Sequence, residues 1–157
     1  MYQKELEAAI SASKIASKII MDIYNQDFAI EVKDDNSPVT IADKTADRAI
    51  RSYLGPLFPT YAFLTEEGVD DLTRLKNDYV WIVDPLDGTK DFIHRDDEFT
   101  VCIALSYKGE IVVGVIAVPV TGNVYYARIG HGAYELLPNG QTNKLQVSDR
   151  VKNITVV

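Results

Sequence analysis

The sequence contains very little cysteine. Cys102 is the only cysteine among 157 residues, so an internal disulfide bond is excluded. A chain without disulfide bonds fits a reducing compartment, and we therefore expect a cytoplasmic location. Because Cys102 lies in an apolar run, we expect it to be a small core residue and not a nucleophile.

Basic residues are also in short supply. Lys and Arg number 16 against 23 Asp and Glu, which gives a net charge of −7. A protein that binds tracts of nucleic acid carries a basic stripe, so we expect no nucleic-acid partner. The acidic balance still permits a small phosphorylated substrate, provided that a bound cation supplies positive charge.

Long hydrophobic runs are absent too. No apolar stretch reaches the roughly 20 residues that cross a bilayer, so we expect neither an integral membrane segment nor a signal peptide. The chain is otherwise ordinary for a globular protein, with 46% hydrophobic and 25% charged residues. Its length fits one domain that can bury a core without disulfide bonds.

The spacing of apolar residues predicts two helices near the N-terminus. Three- and four-residue steps mark residues 2–24 as a helix with one packing face. A second helix is expected to begin at Thr40, a good N-cap that Asp43 completes as a capping box. Gly55 and Pro56 are expected to end that helix.

Apolar runs between turn-forming residues predict strands over the remaining chain. The expected strands cover residues 61–65, 80–83, 99–107, 111–118, 124–129, 133–137 and 144–147. The last five follow one another as a meander. We therefore predict an α+β fold, a layered sandwich in which a mostly antiparallel sheet packs against two long helices.

The stretch 80–90 combines an apolar strand with two carboxylates and a glycine turn. Asp84 follows four apolar residues, and Pro85 is expected to end the strand because it lacks an N–H donor. Asp87 and a glycine come next, and residues 90–94 are predicted to form a short helix. The start of a helix favours an anion such as phosphate, whereas the carboxylates favour a cation.

The two carboxylates of this stretch repel each other. At about 4 Å the repulsion is roughly 4 kcal/mol for an effective dielectric near 20. Either they diverge, or one holds a proton, or a cation lies between them. Hard oxygen ligands favour Mg²⁺. The alternative interpretation is a polar turn with a cap, because Asp-Gly is common in turns.

Glu66 and Asp43 are two more acidic residues that are candidates for the site. Glu66 follows the strand 61–65, and it would lie beside Asp84 and Asp87 if the two strands are parallel neighbours. The alternative for Glu66 is a solvated strand end. Asp43 has the alternative role of a first-turn acid that favours the helix dipole, and both of its roles can hold together.

Three motifs resemble, in their order, the inositol-monophosphatase superfamily of metal-dependent phosphatases. They are Ser-Pro-Val-Thr-Ile-Ala-Asp at 37–43, Glu-Glu at 66–67 and Asp-Pro-Leu-Asp-Gly-Thr at 84–89. The run Asp-Gly-Thr-Lys-Asp-Phe-Ile at 87–93 looks like the 3'(2'),5'-bisphosphate nucleotidase (CysQ-like) branch, which carries Lys at position 90. Asp91 replaces a usual Glu there, and Thr65 a usual Ser.

The resemblance implies the N-terminal lobe of the sugar-phosphatase fold and a cofactor of two or three Mg²⁺ ions. Glu66, Asp84 and the Leu86 carbonyl would hold the first ion. Asp84 would bridge to a second ion, which Asp87 would also bind. Glu67 is expected to support the site without touching a metal.

The resemblance also implies which residues handle the substrate. Thr89, oriented by Asp43, would help deprotonate the attacking water, and Glu66 would take part in catalysis. The residues expected to contact the substrate are Glu66, Asp87, Gly88, Thr89 and Lys90.

The reaction implied by the resemblance is hydrolysis of adenosine 3',5'-bisphosphate at its 3'-phosphate, giving AMP and phosphate. This reaction recycles a by-product of sulfur assimilation. One alternative is an inositol or sugar monophosphate phosphatase of the same superfamily. Another is a metal-binding module without catalytic activity. A homodimer is one possible oligomeric state.

Members of the superfamily have a second lobe with a Trp-Asp motif, which nothing in this sequence matches. We therefore expect residues 1–150 to form the N-terminal metal- and phosphate-binding lobe. Residues 151–157 read as the first strand of a C-terminal lobe that is not in this chain. The isolated chain is accordingly expected to bind metal weakly and to be inactive.

Overall fold

The computed structural model describes residues 1–27, 30–32, 38–70 and 72–147. The strand expected within 151–157 lies outside the described residues. A short pair that was not predicted, β1 (Ile30–Val32) and β2 (Pro38–Thr40), is antiparallel. No helix in the described ranges is long and apolar enough to cross a membrane.

The helices are α1 (Gln3–Tyr24), α2 (Ile41–Leu57) and α3 (Thr89–His94), and a 3₁₀ turn covers Thr73–Lys76. The helix predicted over 2–24 is confirmed. The predicted end of the second helix at 55–56 is wrong, because α2 includes both residues. Pro56 lies in the last turn, where Phe58 N still donates to Leu54 O at 2.9 Å.

The remaining strands form a sheet of seven within the described part of the chain, in the order β3 to β9. Their bounds are β3 Ala62–Thr65, β4 Tyr79–Asp87, β5 Thr100–Tyr107, β6 Glu110–Val118, β7 Asn123–Arg128, β8 Gly132–Leu136 and β9 Thr142–Leu145. β3 and β4 are parallel. Each later neighbour pairs antiparallel, so the predicted meander is confirmed.

The two long helices cover one face of this sheet. Alanines on α1 and α2 are fully buried and allow the helices to pack closely on each other and on the strands. The largest side chains beneath them are fully buried, among them Trp81, Phe92, Phe99, Ile103 and Leu105. This arrangement confirms the predicted α+β sandwich.

The opposite face of the sheet carries an apolar groove of about 480 Å³. Its floor includes Ile82, Ala104 and Ile116, and one end reaches Asp84. Cys102 lines this groove and is half-buried, so the prediction that it belongs to the core is wrong. Since strand side chains alternate, Cys102 points away from the helices that cover its neighbours.

Candidate metal and phosphate site

The parallel pairing of β3 with β4 brings Glu66 to the acidic stretch. Thr65 lies opposite Val83, and Glu66 N donates to Val83 O at 3.2 Å, which extends the pairing by one residue. The Glu66 side chain then forms a hydrogen bond with Asp84 on the next strand. The condition set for Glu66, that the two strands are parallel neighbours, is therefore met.

A β-bulge brings Asp84 and Asp87 onto the same face of the sheet. Asp84 pairs with Cys102 and Asp87 with Thr100, so two residues of β4 stand opposite one residue of β5. In a regular strand, residues three apart point to opposite faces. The extra residue restores the same direction, and Thr100 and Cys102 indeed contact each other at 3.5 Å (Oγ1 to Sγ).

The bulge also corrects the prediction for Pro85. The strand was expected to end there, yet β4 continues to Asp87 with its register shifted between Asp84 and Asp87. Pro85 lies inside that shift, one of the few places where a sheet tolerates a residue without an N–H donor. β3 has already ended beside Val83, so no neighbour on that side needs the donor.

The electrostatics of this face favour a bound proton or a cation. Burial, the adjacent Glu66 carboxyl and the charge of Asp87 raise the pKa of Asp84 to about 7. The protonated Asp84 can donate to Glu66, while its Oδ1 accepts from Leu86 N at 3.2 Å. Of the outcomes that the sequence left open, the raised pKa of Asp84 favours a carboxyl that holds a proton when no cation is bound.

The candidate ligand atoms are of the chemical type that a hard divalent cation prefers. Glu66, Asp84, Asp87 and the Leu86 carbonyl offer oxygen ligands only, which Mg²⁺ prefers. In the described residues, no three His, Cys, Asp or Glu side chains are already arranged to hold a metal. Glu66 already contacts Asp84, so the third carboxylate, that of Asp87, would have to move toward this pair on binding.

Asp43 accepts hydrogen bonds at both of its side-chain oxygens. Its Oδ2 accepts from Thr40 N at 2.8 Å and from the Thr40 hydroxyl at 2.7 Å, and Thr40 Oγ1 accepts from Ala42 N. The predicted capping box is therefore confirmed. Asp43 Oδ1 accepts from Thr89 Oγ1 at 3.0 Å, so this buried carboxylate also fixes the Thr89 hydroxyl.

The turn into α3 requires a glycine. Gly88 has φ +90°, and a Cβ atom there would lie 2.8 Å from the Glu98 carbonyl oxygen. Phe92 N makes the first bond of the helix to Gly88 O, so the amides of residues 89–91 precede the helical bonding pattern. Lys90 is exposed in this first turn. The helix predicted over 90–94 is confirmed and begins one residue earlier.

Sequence reasoning missed two residues near this site. Asp47 is buried on α2, one turn after Asp43, and it pairs with Arg51. The signal in the sequence was the four-residue spacing of the two aspartates, which places them on the same face of the helix.

Comparison with known proteins gives consistent matches. The 3'(2'),5'-bisphosphate nucleotidase CysQ of Salmonella typhimurium is 38% identical over 155 residues, which cover 97% of this chain and 62% of the relative. The inositol-1-monophosphatase of Rhizobium meliloti is 36% identical over 129 residues, 82% of this chain and 47% of the relative. The crystal structure of CysQ from Bacteroides thetaiotaomicron has a TM-score of 0.73 and 40% identity, covering 99% of this chain and 54% of that one.

The matched curated relatives are longer than this chain. The chain spans about half the length of the curated relatives that it matches. A sequence model described as the inositol monophosphatase family matches residues 1–156, nearly the whole chain. The chain therefore belongs to the inositol monophosphatase family.

Proposed function

We propose that this chain is the metal- and phosphate-binding lobe of a Mg²⁺-dependent phosphatase that hydrolyses phosphate monoesters. The observation that carries the proposal is the convergence of Glu66, Asp84 and Asp87 at one edge of the sheet. The bulge in β4 and the parallel partner β3 produce this convergence. The fixed Thr89 hydroxyl lies at the end of the same stretch.

In the proposed reaction, Mg²⁺ would offset phosphoryl charge and lower the pKa of the attacking water. Thr89 Oγ1 donates to Asp43 Oδ1, which leaves the oxygen lone pairs of the hydroxyl open to that water. As the water proton passes to Thr89, the Thr89 proton can pass to Asp43. The buried capping contacts of Asp43 hold this pair in place, so positioning costs little at the moment of reaction.

The substrate that we propose is adenosine 3',5'-bisphosphate, cleaved at its 3'-phosphate. Similarity to CysQ proteins supports this choice, as does exposed Lys90, which can meet a second phosphate. The amides of Gly88 and Thr89 would hold the phosphate that leaves. An inositol monophosphate is the second candidate, because the Rhizobium meliloti inositol-1-monophosphatase is nearly as similar.

The rest of such an enzyme would lie in a second lobe. We propose that this lobe follows residues 1–150 and covers the apolar groove beside Asp84, since the relatives are about twice as long as this chain. Hydrolysis by the chain alone should then be negligible. The start of that lobe at 151–157, the cytoplasmic location, the lack of a nucleic-acid partner and the homodimer stay predictions.

Magnesium titration by calorimetry tests the proposal on this chain. We expect weak, saturable Mg²⁺ binding that Asp87→Asn reduces at least tenfold, because it removes one charged ligand while keeping the shape. Asp22→Asn, an exposed change on α1, is the matched control and should bind as the parent does. Absence of Mg²⁺ binding at millimolar concentration would favour a module without this activity.

The substrate choice needs a protein with both lobes. This lobe can be joined to the second half of the Salmonella typhimurium CysQ, and phosphate release can be measured for the two candidate substrates. Faster turnover of adenosine 3',5'-bisphosphate is expected, and its loss on Lys90→Thr with inositol 1-phosphate turnover preserved would support the role of Lys90. A preference for inositol 1-phosphate would contradict the nucleotide assignment.

A further inference from the structure

Asp47 is a buried acid that helix propensity does not explain. Its side chain is 2% exposed, and Oδ2 accepts from Arg51 Nε at 2.9 Å on the next turn of α2. Its other oxygen, Oδ1, is buried without a hydrogen-bond partner among the described residues. Burying a carboxylate is costly unless its contacts repay the cost, so this position calls for a reason.

Arg51 extends from Asp47 toward the turn that carries Glu66. Arg51 Nη1 lies 3.8 Å from the place where a Cβ atom of Gly68 would stand. The same Cβ would clash with Thr65 Oγ1, so the turn is folded onto the end of β3 and Thr65 limits a side chain at position 68. The Arg51 guanidinium lies beside this turn, at ordinary van der Waals distance from the space next to Gly68.

We propose that Asp47, acting through Arg51, is a positioning residue for Glu66. The hydrogen bond to Nε fixes the plane of the guanidinium, and the rigid fork then fixes where Nη1 meets the 66–68 turn. The position of this turn then sets where the Glu66 carboxyl meets Asp84. The effect on metal binding rests on the proposed function, whereas the effect on the turn does not.

The charge of Arg51 also suits its place. Three acidic side chains, at positions 66, 84 and 87, lie near the end of β3. A cation held behind the turn lowers the repulsion among them without taking part in ligation. Groups that orient metal ligands from behind typically change metal affinity 10–100-fold when they are removed.

The chain offers a matched control for this pair. Asp70 and Arg74 form an ion pair with the same four-residue spacing, at 2.8 Å, and both side chains are partly exposed. Asp70→Asn therefore removes the same kind of interaction without a buried partner behind the Glu66 turn. A difference between Asp47→Asn and Asp70→Asn isolates the contribution of position.

The test compares the parent chain, Asp47→Asn, Arg51→Gln and Asp70→Asn by Mg²⁺ calorimetry and by amide chemical shifts. We expect Asp47→Asn and Arg51→Gln to weaken Mg²⁺ binding about tenfold or more and to shift the amides of 65–68. Asp70→Asn should do neither. The double change of Asp47 and Arg51 should lose little beyond either single change, because the two act as one unit.

Each result decides between the two claims. Parent-like Mg²⁺ affinity and unchanged 65–68 amides in both Asp47→Asn and Arg51→Gln would overturn the positioning role. A parent chain that binds no Mg²⁺ would overturn the proposed function, while the amide shifts would still test the positioning role. If Asp47→Asn fails to fold, Arg51→Gln can still be tested. The Arg51 side chain is 44% exposed, so its replacement should not prevent folding.

Discussion

Replacing Asp84 with Asn should stabilise the metal-free protein at pH 8. The Asp84 carboxyl has a pKa of about 7 in the folded protein against 3.8 in the unfolded chain. Between these values the folded state holds a proton that the unfolded state has released, so stability falls as the pH rises. Below both values the two states bind the proton equally and the penalty vanishes.

The size of this effect follows from the shift. A pKa raised from 3.8 to about 7 corresponds to about 4 kcal/mol. The carboxyl is only half-buried, so solvent screening reduces the expected gain to roughly 1–2 kcal/mol. Asn keeps the shape and can still accept from Leu86 N, which leaves the local packing intact.

Urea unfolding without Mg²⁺, at pH 4 and at pH 8, measures the effect. Asp84→Asn should match the parent near pH 4 and exceed it by roughly 1–2 kcal/mol at pH 8. Added Mg²⁺ should then stabilise the parent only, because the ligand binds the native state that retains the carboxylate. A variant that is less stable than the parent at pH 8, or a difference that does not change with pH, would refute the reasoning.

Two further substitutions test the α3 turn and the Thr89 hydroxyl. Gly88→Ala should lower the melting temperature by several degrees more than Gly109→Ala in a thermal scan. Both positions have positive φ, but only at Gly88 would a Cβ lie 2.8 Å from Glu98 O. Equal losses in the two variants would show that this contact does not matter. Thr89→Val should cost about 1–3 kcal/mol in chemical unfolding, because it leaves the buried Asp43 Oδ1 without its donor. Thr89→Ser should restore most of that loss, and a Ser variant as weak as Val would show that the hydroxyl contact is unimportant.

The layout of the fold could be predicted from local patterns. Apolar spacing located α1 and the meander strands, and a tight turn at Lys108 and Gly109, both with positive φ, joins β5 to β6. Thr40 and Asp43 formed the expected cap because that contact lies within one helical turn. Each of these features depends on residues that are close in sequence.

The bulge could not be predicted, because it depends on the partner strand. Proline lacks a donor, and from β4 alone that lack indicates an end to the strand. Only the register with β5 shows that the two residues Pro85 and Leu86 stand opposite Val101. The same register decides that Cys102 faces the groove and not the helices. Both errors therefore have one cause, which is a long-range pairing that sequence patterns do not contain.

At the site, too, local features could be predicted from the sequence and long-range contacts could not. The acidic residues could be named from the sequence, since each follows an apolar run. Their convergence required the parallel pairing of β3 and β4, which was stated only as a condition. The pair Asp47 and Arg51 was missed, because burial of an acid at a helical position is visible only once the helix has packed.

Anomalous diffraction from crystals of this chain soaked in Mn²⁺ can locate the proposed metal site, because Mn²⁺ accepts the same oxygen ligands as Mg²⁺. We expect an anomalous peak enclosed by the carboxylates of Glu66, Asp84 and Asp87. A saturating soak that gives no peak between these three carboxylates would show that they do not form a metal site.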